Sequence, residues 1–166
     1  MPRLAAALFT ICLGLQPASA EAVFFHQQGN WTVASGQNAC LASNRPSVEM
    51  NISPVAAVHF TQTIESPALV LDAFFWPGAF TKGQKTTLTL VKTGDAEVTL
   101  PATPVSDYQV TADRPFSRQE VRVLREQSLF AVKSPDVQFA LGVDASGFEQ
   151  AVILLGLCTS MLKRAQ

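Results

Sequence analysis

The pattern of apolar and polar positions is clearest at the end of the chain, where it predicts a helix over residues 147–163. Ser146 and Glu149 have the spacing of a capping box, in which each side chain pairs with a free backbone N–H of the first turn. Lys163 and Arg164 lie near the last turn, where cations interact favourably with the helix dipole. The apolar face consists of Phe148, Ala151, Val152, Leu155, Cys158 and Leu162, widened by Leu154 and Met161. We therefore expect this helix to be largely buried.

Most of the preceding chain alternates with a period of two, which predicts strands. In residues 55–64, for example, Val58 and Phe60 point to one side while His59 and Thr61 point to the other. Ser117 and Glu120 form a second capping-box pattern and open a short predicted helix near 118–127. The other predicted strands are 21–28, 31–34, 39–43, 68–76, 84–92, 96–100, 108–111, 129–133 and 137–143.

Strands and helices do not alternate regularly in this order, so a doubly wound parallel sheet is not expected. The pattern favours an α+β fold, made mainly of an antiparallel β-sheet or β-sandwich with the two helices packed on it.

The first residues have the form of a cleavable export signal. Arg3 precedes an apolar run over residues 4–15, and Ala18-Ser19-Ala20 is a small-residue cleavage site. The run is shorter than the about 20 residues that span a bilayer, which disfavours a membrane anchor. We predict a signal peptide over 1–20, a single β-rich domain over 21–166 and a periplasmic or secreted location, with no transmembrane segment after the leader is removed.

Export changes the interpretation of the cysteines. Cys12 lies in the predicted leader, so Cys40 and Cys158 remain in the mature chain. In an oxidising compartment a disulfide is the default, and two free thiols or a metal pair are the alternatives. Metal binding is disfavoured because His26 and His59 lack the usual ligand spacing. We predict a Cys40–Cys158 disulfide that ties the final helix to an early strand, no metal and no cofactor. Trp31 is expected in the core near this bond.

The residues that could carry chemistry do not form a recognised catalytic set. The net charge of the whole chain is −1, which gives no electrostatic case for nucleic-acid binding. The sequence has no G-x-S-x-G, H-E-x-x-H, P-loop or dinucleotide-binding pattern. Asp72 interrupts an apolar strand, and a solvent-facing position explains it without a perturbed carboxyl. The chain is therefore expected not to be an enzyme.

Two features suggest binding surfaces instead. The first is the segment F-F-W-P-G-A-F over residues 74–80, in which Trp76 and Phe80 are candidate partner contacts if the Pro77-Gly78 turn is exposed. The alternative is that these rings fill the core, which we expect for Phe74. The second is a candidate anion-binding stripe of Arg118, Arg122 and Arg125 on one face of the short helix. A solvated face, with Arg122 paired to Glu126, is the alternative.

Several of these segments together resemble a known family. They are a leader, Trp31 with nearby Cys40, the W-P-G turn, and F-A-V-K followed by V-Q-F-A-L-G-V-D-A-S-G-F-E-Q-A. In the last of these, Gly147, Phe148 and Ala151 form G-F-x-x-A. The chain resembles the invasion-associated locus B proteins of alphaproteobacteria. The resemblance implies an exported, β-rich, non-enzymatic protein linked to host invasion or to the envelope.

The sequence thus predicts a non-catalytic exported binding or accessory protein of the bacterial cell envelope. It would act by contact with an unknown protein partner, in a role related to host interaction. One alternative is an inhibitor or stabiliser of an envelope enzyme that presents the loop over residues 76–80. A third interpretation is a hydrolase whose site matches no known motif.

Overall fold

The computed structural model describes residues 24–44, 57–92 and 97–166. The predicted leader lies outside these residues, so it stays a prediction. The described chain forms ten strands and two helices. The strands are β1 (Phe25–Gln28), β2 (Trp31–Ser35), β3 (Ala39–Asn44), β4 (Ala57–Thr63), β5 (Val70–Phe74), β6 (Thr86–Lys92), β7 (Glu97–Pro104), β8 (Gln109–Ala112), β9 (Leu129–Lys133) and β10 (Leu141–Asp144). The helices are α1 (Arg118–Arg125) and α2 (Phe148–Ala165).

All ten strands belong to one antiparallel sheet, which confirms the predicted fold class in part, as a mainly antiparallel β-sheet with two helices. The hydrogen-bonded order is β1-β2-β3-β4-β5-β8-β7-β6-β9-β10. The first five strands therefore follow chain order, and β6 to β8 are inserted in reverse, so that β5 pairs with β8 and β6 with β9. Among the described residues, no helix is both long and apolar enough to cross a membrane.

The alternation that predicted the strands also decides which face of the sheet is buried. In β4, Val58 and Phe60 are buried, whereas His59 and Thr61 point to the outer side. β7 alternates in the same way along most of its length. Because successive side chains of a strand point to opposite faces, each strand contributes one apolar row to the same core.

The sheet curls so that its two halves face each other. The ring centroids of Phe60 in β4 and Phe130 in β9 are 6.4 Å apart, although four other strands lie between β4 and β9 in the sheet. The Asn44 side chain at the end of β3 donates a hydrogen bond of 2.8 Å to the backbone carbonyl of Asp144 in β10. The predicted β-sandwich is thus correct in part. Two halves face each other, but they belong to one sheet whose hydrogen bonding is continuous from β1 to β10.

Aromatic rings fill the space between these halves. Phe148 of α2 lies 5.3 Å from Trp31 and 4.9 Å from Phe60, and Trp31 lies 5.8 Å from Phe60. Tilted ring pairs of this kind contribute about 0.5–1.5 kcal/mol each beyond the burial of their area. Trp31 is completely buried, so its predicted place in the core is confirmed.

The Cys40–Cys158 disulfide is present, as predicted, and both residues are completely buried. It joins β3 to α2 with 6.1 Å between the two Cα atoms. The expectation that Trp31 lies near the bond needs correction, because Trp31 contacts Phe148 at the start of α2. Ten residues of helix, about 15 Å, separate Phe148 from Cys158. Trp31 and the disulfide therefore hold different turns of the same helix.

The predicted capping box of α2 does not form. The helix begins after Gly147, which has a φ of 81° and makes no side-chain cap. Ser146 instead turns back to Asp144, whose Oδ1 accepts hydrogen bonds from the Ser146 hydroxyl and from its backbone N–H at 2.8 Å. These bonds, together with one from Asn30, hold the pKa of Asp144 below its ordinary value. Because the left-handed residue stands between Ser146 and the helix, the serine is displaced from the cap position.

The expectation that α2 is largely buried is also only half right. The face with Phe148, Ala151, Leu155, Cys158 and Leu162 packs on the sheet. Met161, which was expected to widen that face, is exposed, together with Ile153 and Leu157.

Candidate interaction surface

Three connections of the sheet converge at one place. They are the segment between β5 and β6 (residues 75–85), the turn between β7 and β8 (105–108) and the segment between β9 and β10 (134–140). The Phe75 N–H donates to the Tyr108 carbonyl at 2.7 Å, and the Gly83 N–H donates to the Pro104 carbonyl at 2.9 Å. We call the surface formed by these three connections the loop surface.

The turn at Pro77-Gly78 is fixed to the neighbouring connection by Asp107. The Gly78 N–H donates to Asp107 Oδ2 at 3.0 Å, and the Phe80 N–H donates to the Asp107 backbone carbonyl at the same distance. A bond from the Ala79 N–H to the Trp76 carbonyl closes the turn, and Gly78 has a φ of 82°. This conformation agrees with the type II turn that Pro-Gly favours, because glycine adopts positive φ without steric cost. Pro77 and Gly78 are exposed, so the tip is both ordered and accessible.

The two candidate contact residues of this segment have different environments. Phe80 is only 8% exposed and packs on the buried ring of Phe75 at 5.1 Å. Trp76 is half-buried and lies 5.9 Å from the ring of Phe139, which is 65% exposed. The surface ring pair is therefore Trp76–Phe139, and Phe80 supports the loop from beneath.

Phe74 lies on the outer side of the sheet, which corrects the expectation that it fills the core. It is half-buried and contacts His59 at 4.5 Å and Tyr108 at 6.5 Å between ring centroids. The reason is strand parity, since Ala73 and Phe75 on either side of it point inward.

A shallow cleft of about 270 Å³ opens beside the turn. This volume is just below the roughly 300–1,000 Å³ of typical small-molecule sites, and those sites are mainly apolar. The cleft is therefore smaller and more polar than a typical small-molecule site. It is lined by Gly78, Ala79, Phe80, Thr81, Gln84, Pro104 and Asp136.

The three arginines predicted to form a stripe do share one exposed face of α1. Arg122 Nε lies 3.7 Å from Glu126 Oε1, and both side chains are mostly exposed, so this expected pair is a solvated one. Arg118 and Arg125 are exposed on the same face. The structure thus brings the stripe together but also shows the local pairing that the solvated alternative requires.

Arg114 makes a different kind of contact. Its guanidinium binds Glu120 through two bonds, Nη1 to Oε2 at 2.9 Å and Nη2 to Oε1 at 2.7 Å. Glu120 also accepts a hydrogen bond from the Ser117 N–H at 2.7 Å, and the Ser117 hydroxyl accepts one from the Glu120 N–H. The predicted capping box of α1 is therefore confirmed. Chiefly through the Arg114 bonds, the pKa of Glu120 falls from its ordinary 4.5 to about 2.

Acidic groups on the outer face of the sheet are held by neighbouring strands. Asp72 is half-buried and accepts bonds from Thr111 at 2.5 Å and Thr61 at 3.3 Å. Asp113 binds Thr103 and Lys85, which together lower its pKa. Within the described ranges, no group of three His, Cys, Asp or Glu side chains could hold a metal ion.

The sequence matches no protein-family model and no curated protein. Its structure is similar to the crystal structure of invasion associated protein B from Bartonella henselae. The TM-score is 0.57 with 17% sequence identity, and the match covers 81% of this chain and 97% of that protein. The resemblance inferred from the sequence is thus confirmed at the level of the fold, which is what a likeness at this identity shows.

Sequence reasoning missed Phe139 as a surface residue. Phe139 shares the parity of Leu141 and Val143, which are buried, so a strand over 137–143 would place it in the core. In the structure β10 begins only at Leu141, which leaves Phe139 in the connection before it. A signal was available in the preceding Ser134-Pro135-Asp136, because such a turn can extend beyond its own residues.

Proposed function

We propose that this chain is a non-catalytic binding or accessory protein of the bacterial cell envelope, exported by a cleaved leader and acting through contact with another protein. The observation that carries the proposal is the Trp76–Phe139 ring pair on the loop surface. The fold shared with an invasion associated protein supports a role related to host interaction.

The ring pair has the properties of an interaction anchor. Large aromatic side chains supply much contact area with few rotatable bonds, and they are enriched among the residues that dominate binding energy. Trp76 is half-buried, so the fold already fixes it, while Phe139 extends into solvent. Asp107 holds the adjoining turn through Gly78 and Phe80. A partner therefore need not order this loop on binding, which lowers the entropic cost of association.

The proposal that the chain is not an enzyme rests on the sequence, which carries no G-x-S-x-G, H-E-x-x-H, P-loop or dinucleotide-binding pattern. It is compatible with the shallow polar cleft beside the turn, which offers a docking position for a side chain.

A second candidate, an inhibitor or stabiliser of an envelope enzyme, is favoured by the exposed Pro77-Gly78 tip. An ordered turn that projects from a rigid sheet can enter the active-site groove of an enzyme without losing much conformational freedom. The two functions differ in what the partner is, and the same capture experiment separates them.

Capture of partners by the mature chain, with the Cys40–Cys158 bond intact, tests the proposal. Wild-type, Trp76→Ala and Phe139→Ala proteins would be immobilised and exposed to periplasmic extract and to host-cell extract. Phe25→Ala is the matched control, because Phe25 is 67% exposed, close to the 65% of Phe139, and lies on β1 outside the loop surface. We expect loss of the captured protein with Trp76→Ala and Phe139→Ala and retention with Phe25→Ala.

Thermal unfolding of each variant checks that the loss is not due to misfolding. Retention of the same partner by a folded Phe139→Ala variant contradicts the loop surface as the binding site. If the captured protein is an enzyme, its activity with and without the chain decides between the accessory and the inhibitor functions.

A further inference from the structure

Helix α2 has a second apolar face that does not pack on the sheet. Ile153 is 54% exposed, Leu157 53% and Met161 48%. These residues are four positions apart, so they form one row along the helix. Leu155 and Cys158, on the side of the helix that faces the sheet, are completely buried.

This row is a preorganised surface and not a set of scattered apolar side chains. Single exposed apolar residues are common on soluble proteins, whereas a contiguous row on one element is a candidate interaction site. The helix that carries the row is fixed by the Cys158 disulfide and by the Phe148 ring in the aromatic core. The backbone beneath the row therefore needs no ordering when something binds to it.

The charges at the two ends of the row are complementary to each other. Glu149 lies in the first turn of α2, and Lys163 and Arg164 lie in the last turn. Leu157 stands at the middle of the helix, with Ile153 four residues before it and Met161 four residues after it. When two such helices lie antiparallel, the acidic end of each therefore lies beside the basic end of the other, and the apolar middles face each other.

We propose that this face is a self-association surface, on which a second copy of the chain packs its own α2 in the antiparallel direction about a two-fold axis at Leu157. In this arrangement Leu157 meets Leu157 of the second copy, and Ile153 meets Met161. Glu149 of each copy lies beside the basic last turn of the other. A two-fold axis makes such an interface self-complementary, since every contact occurs twice.

Two further features agree with this geometry. The antiparallel direction places the positive end of each helix dipole beside the negative end of the other. Gly156 and Ser160 flank the row on one side, and a Cβ added at Gly156 would meet no atom within 4 Å. Small residues at this position let the second helix approach closely.

The dimer is expected to be weak and dependent on concentration. We expect one pair of 18-residue helices, each about 27 Å long, to bury less than the roughly 800 Å² per partner of a standard stable interface. Sedimentation equilibrium of the mature, disulfide-bonded chain from about 1 µM to about 1 mM covers the corresponding range of Kd.

The first test compares two apolar positions of nearly equal exposure. Leu157→Glu places two carboxylates against each other at the axis, and we expect it to weaken self-association by at least about tenfold because like charges repel across an interface. Leu129→Glu is the control, because Leu129 is 50% exposed on β9. A wild-type chain that stays monomeric over the whole range overturns the proposal, and so does an equal effect of the two variants.

The second test determines the direction of the helices by disulfide cross-linking. A disulfide requires Cα atoms within about 7 Å, so Leu157→Cys should form a covalent dimer with itself. Ile153→Cys alone should remain uncross-linked, whereas a mixture of Ile153→Cys and Met161→Cys should give the heterodimer on a non-reducing gel. Self-cross-linking of Ile153→Cys would show a parallel arrangement and overturn the antiparallel one. These residues lie outside the loop surface, so failure here is distinguishable from failure of the proposed partner binding.

Discussion

The two helices are held in the fold by different kinds of interaction, α2 on the sheet and α1 in contact with α2. α1 has eight residues, buries Leu124, and begins with a complete capping box that Arg114 reinforces through Glu120. α2 has 18 residues and no side-chain cap, yet it buries Phe148, Leu155 and Cys158 among others. Short helices are marginal by themselves, so α1 depends on local polar bonds, while α2 depends on tertiary packing and a cross-link. Because the Ser117–Glu120 cap involves no residue of α2, we expect it to persist when the attachment of α2 is weakened.

Removal of the disulfide, which holds α2 and not α1, should have the largest effect on the free energy of unfolding. We expect Cys40→Ala/Cys158→Ala to lower the free energy of unfolding by about 2–4 kcal/mol, because the bond closes a loop of 118 residues in the unfolded chain. Alanine is preferred to serine because both sites are completely buried and a hydroxyl there would need a partner. Urea unfolding of the two proteins measures the change.

Hydrogen exchange shows where the effect is located. Amide protection should fall in α2 and remain nearly unchanged in the Ser117–Glu120 cap of α1, when both are compared at equal global stability. An equal loss of protection in both helices would contradict the independence of the two attachments.

The contrast also explains which features the sequence could predict. The α1 capping box was predictable because Ser117 and Glu120 interact across three residues of continuous helix. The disulfide was predictable because removal of the expected leader, which contains Cys12, would leave two cysteines. The strands were predictable because alternation repeats along each of them. All these signals are local in sequence or depend on a count.

The errors concern positions where a distant contact decides the local conformation. Gly147 adopts a φ of 81° beside Gln28 and Trp31, and this displaces Ser146 from the cap. Met161 belongs to a helix that is apolar on most sides, and only the packing of the sheet decides which side is covered. For the loop surface, the sequence located Trp76 but could not show that Phe80 points inward or that Phe139 joins Trp76.

The polar attachment of α1 should depend on pH in a way that the attachment of α2 does not. The pKa of Glu120 is lowered from 4.5 to about 2, so its contribution is complete above pH 4.5 and is lost as the pH falls towards 2. Over this interval, the free energy of unfolding of wild type should therefore fall by about 1 kcal/mol more than that of Glu120→Gln. This value allows for screening of the partly exposed pair. Urea unfolding at neutral pH and near pH 2 provides the comparison.

The pH-dependent change in the free energy of unfolding of the variant must be subtracted from that of wild type. The reason is that Asp113 and Asp144 also have lowered pKa values and titrate in the same direction. These groups are present in both proteins and cancel in the difference. Identical pH profiles for wild type and Glu120→Gln would mean that the Arg114 bonds do not stabilise the folded state.

The smallest effect is expected from the exposed arginine stripe. In Arg118→Glu/Arg122→Glu, the new carboxylate at 118 lies in the first turn of α1, where the helix dipole favours it. The one at 122 repels Glu126 one turn later. Because these effects oppose each other at solvated positions, the midpoint of urea unfolding should stay close to that of wild type.

The same variant separates the two interpretations of the stripe. If Arg118, Arg122 and Arg125 bind anions, retention of wild type on phosphate-bearing resin should decrease with salt and disappear in the variant. If wild type and variant elute together, the stripe is a solvated face, in which Arg122 pairs with Glu126.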